Sequence, residues 1–424
     1  MRILHLGSSL GARAWIPLAL ALALRLAAVA VVDFTPVNDP AEFVELGQSL
    51  ANEGGFPPSR AAIGESAWRP PLYPLALAAT FAVSGDSITA AQVVNALLGT
   101  AVAGLTGLLA ARLYGRRAGL IALALAAVAP ALVLVNITLL SETLFSVLAL
   151  GAVLVALRAR ERLSLRWVAA AGLLAGAATL TRPNGVIVAA VVLVAVWRRP
   201  FLSRAAVLRP ALAAVAVALV IAPWAVRNAL VMDAFVPVAT SGWYTASGMF
   251  NETSRADPRF PATWRVPLLD PEIAELLEDH PRDGELERAH RLREYSLDFL
   301  REHPTYPAEA TARNLLRYAH ITDFDLSSES WRSDGLGDRL APVANVYFMA
   351  LLVLAAAGIG LGALRKAPVW LWLLPVLLAL STAVVVTAIR YRTPVDPFII
   401  VLAAFAIARL VDRFGPVGQG EAAT

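Results

Sequence analysis

Asp33-Phe34-Thr35-Pro36-Val37-Asn38-Asp39-Pro40 follows directly on an apolar run, and Trp68-Arg69-Pro70-Pro71-Leu72-Tyr73-Pro74 opens the next one. Between them, Ala41 to Ala51 sets Phe43, Leu46 and Leu50 at helical spacing, and Gly54-Gly55-Phe56 ends the pattern. A polar stretch wedged between two very apolar ones reads as a loop at a membrane surface. Asp39 or Pro40 suits the start of the helix that follows, and the apolar face of that helix can lie on lipid. The stretch therefore sets a carboxylate at a membrane–water boundary, on a rigid element. Taken alone, Asp39 is a helix cap.

Working outward, apolar residues make up 58% of the 424, and mean hydropathy is +0.63. Runs with few or no charges recur along the chain, which predicts an all-α polytopic membrane protein. There is no cysteine, hence no disulfide and no thiol chemistry. Of the 36 basic residues only Lys366 is lysine, so where the arginines fall says more than the net charge of +4. Arg2 and Arg13 precede an apolar run interrupted by Arg25, which reads as an uncleaved signal anchor.

The expected spans are 15–32, 88–111, 118–135, 142–157, 167–181, 185–197, 208–225, 342–363, 369–388 and 395–411. Basic clusters at Arg112 to Arg117, Arg158 to Arg166, Arg198-Arg199 with Arg204, and Arg365-Lys366 belong inside by the positive-inside rule. Segment 70–83 then cannot cross and is a surface or re-entrant piece. This gives about ten crossings, with 33–87 and 226–341 outside. Three units follow: an N-terminal transmembrane module (1–225) containing the first outer loop, an outer, mostly helical loop domain (226–341), and C-terminal membrane helices with a short tail (342–424).

The same parity puts Arg182, Arg227, Arg390 and Arg392 at the outer boundary, against the charge rule. A shared phosphate fits the guanidinium fork best, and snorkelling to lipid headgroups is the plainer reading. Ser141-Glu142 is either an N-cap with a dipole-favoured acid or a site carboxylate. Arg25, inside a span, is a functional candidate with Asp33 or Asp39 as partner. Asp323-Phe324-Asp325 has metal-motif spacing but no preceding strand, and reads as a surface turn. The five histidines form no His-x-x-x-His pair, which speaks against zinc. No Gly-rich phosphate loop occurs, nothing points to nucleic acid, and Gly172 with Gly176 reads as helix packing.

Asn38-Asp39, Leu46, Gly54-Gly55-Phe56 and Arg69-Pro70-Pro71-Leu72-Tyr73-Pro74 together resemble the first outer loop of the GT-C glycosyltransferases. The nearer branch holds bacterial relatives of protein O-mannosyltransferases and the lipid A aminoarabinose transferase. Leu180-Thr181-Arg182-Pro183-Asn184-Gly185, Ala222 to Asn228 with Phe235-Val236-Pro237, and Arg390-Tyr391-Arg392-Thr393-Pro394 are similar to that family's later motifs, in order. The resemblance implies transfer of one sugar from a polyprenyl-phosphate donor to a lipid, glycan or protein acceptor. Transfer would occur with inversion, at the outer face of the bacterial cytoplasmic membrane. It implies Asp39 as general base, with Arg69, Tyr73, Glu142, Arg182, Arg227, Arg390 and Arg392 binding substrate. The family often shows two adjacent acids, and here Asn38 precedes Asp39, so no cofactor is assigned and a divalent cation is left open. The alternative function is a transporter or flippase for an anionic lipid or metabolite, which short spans and membrane-level arginines also suit.

Overall fold

The computed structural model describes residues 10–56, 66–198, 200, 203–386 and 389–414. Arg2 and Arg199, used above, lie outside those residues. Helices α1 (Trp15–Val31), α2 (Asn38–Asn52), α3 (Leu72–Ser84), α4 (Ile88–Tyr114), α5 (Arg116–Val128) and α6 (Pro130–Leu134) come first. They are followed by α7 (Glu142–Arg162), α8 (Leu165–Thr181), α9 (Gly185–Val196) and α10 (Arg204–Met232). Shorter polar helices come next: α11 (Gly242–Ser247), α12 (Glu252–Arg255), α13 (Pro271–Glu278), α14 (Glu285–Glu302), α15 (Tyr306–Tyr318) and α16 (Asp325–Ser333). Three apolar helices end the chain: α17 (Ala341–Gly360), α18 (Val369–Ala383) and α19 (Asp396–Phe414). Among the described residues there is no strand, only an isolated antiparallel bridge between Phe34 and Leu336.

Among the described residues, five helices are long and apolar enough to cross a membrane: Ala12–Val31, Ile88–Tyr114, Glu142–Arg162, Ala206–Met232 and Ala341–Gly360. These five fall on five of the ten expected spans. α3, α8, α9 and α18 are apolar but shorter. The 118–135 segment is broken, because Ala129 turns to an extended ψ of 111° ahead of Pro130.

The break explains Arg25. Pro130 has no N–H to offer the carbonyl of Ala126, one turn back. Arg25, buried, fills the vacancy by donating to Ala126 O at 3.3 Å, Ala127 O at 3.3 Å and Ala21 O at 2.9 Å. Its partners are carbonyls, and the expected pairing with Asp33 or Asp39 is replaced by this helix-end repair.

The apolar face of α2 also meets protein where lipid was expected. Phe43 and Val44 join Tyr73, Leu77 and Phe81 of α3 in one cluster. Gly47 permits this approach, since a Cβ there would sit 2.8 Å from the Leu77 Cβ. Helices α8 and α10 use the same device: a Cβ on Gly172 would lie 2.5 Å from Ala213 O, and one on Gly176 would lie 2.9 Å from Val220 Cβ. Gly172→Val should therefore overpack this seam and cost about 1–3 kcal/mol. Thermal unfolding in detergent checks this; an unchanged midpoint would mean the two helices are free to separate.

At one end of the bundle, Arg112 pairs with Glu161, Arg117 pairs with Asp412, and Arg198 donates to the Arg160 carbonyl at 2.8 Å. The carboxylate of the 33–40 stretch gathers its partners at the opposite end.

Candidate active site

Asn38 takes a left-handed φ of +50°, a conformation Asn tolerates better than most residues. Its side-chain amide donates to Ser333 O at 2.9 Å. Thr35 N donates to Gly335 O at 3.3 Å, and a Cβ on Gly335 would collide with Thr35 O at 2.0 Å. The 333–336 turn is thereby locked onto the start of α2. Val37 and not Asp39 is the N-cap, and no side chain caps this helix. The Asp39 carboxylate is left for other partners.

Those partners are two guanidinium groups. Arg69 approaches Asp39 Oδ1 at 2.5 Å, and Arg390 pairs with Oδ2. Arg69 also grips Glu42 through Nε at 3.1 Å and Nη2 at 2.6 Å. Glu285 fixes the segment that carries Arg69, accepting from Ser66 Oγ at 2.9 Å, from Ala67 N at 3.0 Å and from the Thr240 hydroxyl. Arg390 also pairs with Asp334, has Glu142 Oε1 3.9 Å from its Nε, and donates to the Tyr391 hydroxyl at 3.0 Å. Behind it, Arg182 reaches Glu142 at 2.7 Å and Ser141 Oγ at 2.9 Å. The Arg182 and Arg390 guanidinium groups each lie 4.9 Å from the Tyr391 ring centroid.

Asp39, Arg69, Asp334, Arg390 and Tyr391 line a cavity of about 920 Å³, whose walls also include Trp68, Tyr244, Trp264 and residues of α13 and α14. Burial works to raise the Asp39 carboxyl, but the fields and hydrogen bonds of Arg69 and Arg390 prevail and hold it well below the usual carboxylate range. Asp334 goes the other way. Burial pushes it up to about 7 against the pull of Arg390, with Asp39 and Glu142 adding to the push. Two carboxyl groups on one guanidinium thus titrate far apart.

The signs give opposite pH dependences. For Asp334 the native state favours the proton, so its contribution to stability is complete below the ordinary value of 3.8 and is lost as pH rises towards about 7. For Asp39 the contribution is present above the ordinary carboxylate range and is lost as pH falls below it. Asp334→Asn should accordingly flatten the decline in unfolding temperature between about pH 5 and 7. Parallel curves for the two proteins would contradict that assignment.

Of the residues expected to bind substrate, Asp39, Arg69 and Arg390 meet in the cavity, with Glu142 and Arg182 directly behind them. Ser141 accepts from Arg182 and makes no side-chain cap bond. Three others are placed elsewhere. Tyr73 is buried against Phe43, and its hydroxyl accepts from Asn95 at 3.0 Å. Arg227 donates to Ser66 O at 2.7 Å and to Asn228 Oδ1 at 3.1 Å, stacked on Trp224. Arg392, buried, is taken up by Asp396 at 3.0 Å, Tyr318 O at 2.7 Å and the Phe348 ring. Conversely, Asp334, Glu42 and Glu285 are site residues that sequence reasoning missed. Glu42 was within reach, three residues after Asp39 on the same helical face.

A divalent cation does not fit these side chains as they stand. Among the described residues no group of three or more His, Cys, Asp and Glu side chains could hold a metal ion. The carboxylates of Asp39, Glu142 and Asp334 gather around the Arg390 guanidinium and enclose no open centre.

Residues 68–226 match the family model described as dolichyl-phosphate-mannose-protein mannosyltransferase. Over 94% of this chain the fold superposes on the Archaeoglobus fulgidus oligosaccharyltransferase, solved with Zn and sulfate, at a TM-score of 0.56 and 17% identity. The chain has a GT-C fold. The apo form of the same archaeal enzyme superposes with a TM-score of 0.55 at 15% identity. This GT-C chain covers 49% and 51% of those two structures, about half their length. ArnT from Cupriavidus metallidurans, in the apo state, is matched over 94% of this chain and 78% of its own, with 17% identity and a TM-score of 0.43. No curated protein sequence matches.

Proposed function

We propose that this chain is a membrane glycosyltransferase that moves a sugar from a polyprenyl-phosphate donor to a hydroxyl acceptor at the outer face of the bacterial cytoplasmic membrane. The acceptor is a lipid, glycan or protein. The observation that carries the reading is Asp39 held between Arg69 and Arg390 at the wall of the cavity.

A carboxylate between two guanidinium groups is a weak base, so Asp39 is quiet while both are paired to it. A lipid phosphate fits the same guanidinium fork and competes with the carboxylate for it. As the donor enters, its oxygens share the Arg69 and Arg390 guanidinium groups with Asp39, and the field that depressed the carboxyl weakens. The acceptor hydroxyl then attacks the anomeric carbon from the face opposite the phosphate. Its proton passes to Asp39, the new C–O bond forms, and the bond to the phosphate oxygen breaks, releasing polyprenyl phosphate. Arginines already at the leaving group stabilise the charge growing there without reorganising. Arg182 and Glu142 keep Arg390 in place from behind.

The rival reading, a flippase, needs a path between the two ends of the bundle. The cavity draws on residues 38–42, 68–69, 240–292, 326–334, 386 and 390–391, and none of its lining comes from the Arg112–Glu161 end. Mass spectrometry of envelope glycans and lipid-linked sugars, with and without the gene, tests the proposal. Loss of one glycan together with accumulation of its lipid-linked sugar is expected; unchanged profiles of both would count against transfer.

A further inference from the structure

We propose that Arg390 is the resident cation of this site, filling the centre on which three carboxylates converge, so that the chain works without a divalent metal ion. The inference rests on the proposed site but concerns its electrostatics, whichever sugar is moved.

The three carboxylates come from distant parts of the chain. Asp39 opens α2, Glu142 opens α7 and Asp334 follows α16, and all three face one guanidinium. Glu142 and Asp334 are almost wholly buried, at 1% and 3% side-chain exposure. Buried acids brought together must have a countercharge. A fold that relied on a metal would leave the centre free for an ion with short oxygen bonds. Here a planar, permanently charged group lies in it, itself 8% exposed. Arg390 is fixed there from its own side by the Tyr391 hydroxyl, and the Thr393 hydroxyl donates to its carbonyl at 2.7 Å.

The charges balance without further help. Asp39, Glu42, Glu142 and Asp334 oppose Arg69, Arg182 and Arg390, which leaves one negative charge, or none when Asp334 holds its proton. A dication added to that set would meet at most one net negative charge, at a centre already taken. Two carboxylate oxygens, Glu142 Oε2 and Asp334 Oδ2, nevertheless have no hydrogen-bond partner. The trio therefore keeps ligand capacity that Arg390 blocks. Removing the guanidinium should uncover a divalent-cation site.

The test uses the full-length protein in detergent, dialysed against EDTA, with metal content read by elemental mass spectrometry and Mn²⁺ binding read by calorimetry. The wild type should retain no stoichiometric metal and show no saturable Mn²⁺ binding. Arg390→Ala should bind Mn²⁺ one-to-one, and Arg390→Ala with Asp334→Asn should lose that binding. Where transfer is assayed, EDTA should leave the wild-type rate within about twofold, since no Lewis acid is being removed. A wild type that binds Mn²⁺ one-to-one, or that loses turnover in EDTA and regains it with metal, overturns the proposal. A folded Arg390→Ala that binds no Mn²⁺ also overturns it. The metal arms read out even if no sugar transfer is found, and the wild-type arm does not depend on any variant folding.

Discussion

Asp39→Asn is expected to lower sugar transfer by about 10²–10⁴-fold while the chain stays folded. The substitution keeps the shape of the side chain and removes the group that takes the acceptor proton. It strands no arginine, because Arg69 retains Glu42 and Arg390 retains Asp334. The variant should stay folded while giving up the stability of the two Asp39 ion pairs, and the loss of function should appear in turnover rather than in donor affinity. Near-normal turnover by the folded variant would remove Asp39 from the base role. Glu142, next to it across Arg390, would then be examined.

Arg390→Lys is expected to fail despite its equal charge. The guanidinium serves Asp39, Asp334 and the Tyr391 hydroxyl together and stands 3.9 Å from Glu142. An ammonium on a flexible stem is a point charge without the planar fork that spans these positions. Breaking a buried pair outright costs about 3–5 kcal/mol, and a poorly reaching lysine should forfeit a good part of that. A lower unfolding temperature and a rate reduced at least about tenfold are the expected readings, since phosphate too is gripped through the fork. Retention of both stability and rate would show that only the charge matters at this position.

The apolar segments and the break at Asp33 to Pro40 were legible in the sequence, because hydropathy and charge vary along the chain on the scale of whole elements, and the motif resemblance named Asp39, Arg69 and Arg390 as one set. What was not legible depends on tertiary partners. Asp334 lies almost three hundred residues from Asp39 and joins it only because the 333–336 turn bonds to Thr35 and Asn38. Arg227 and Arg392 carry the same charge and sit in similar motifs to Arg390, yet carbonyls and internal partners occupy them. An arginine that serves the fold and one that faces a cavity look alike in sequence. Arg25 is the instructive case, since the missing N–H of Pro130 was visible in the sequence but its meeting with Arg25 was not.

The most direct test of the account is the binding of a short-chain polyprenyl phosphate, the leaving group common to every donor of this class. Affinity would be measured in detergent for the wild type, Arg69→Ala and Arg390→Ala, with the exposed Arg313→Ala as control. The account predicts saturable binding to the wild type and control, weakened about tenfold or more in both site variants through loss of charge-assisted hydrogen bonds. Equal affinity in all four proteins, or no saturable binding to the wild type, would contradict it.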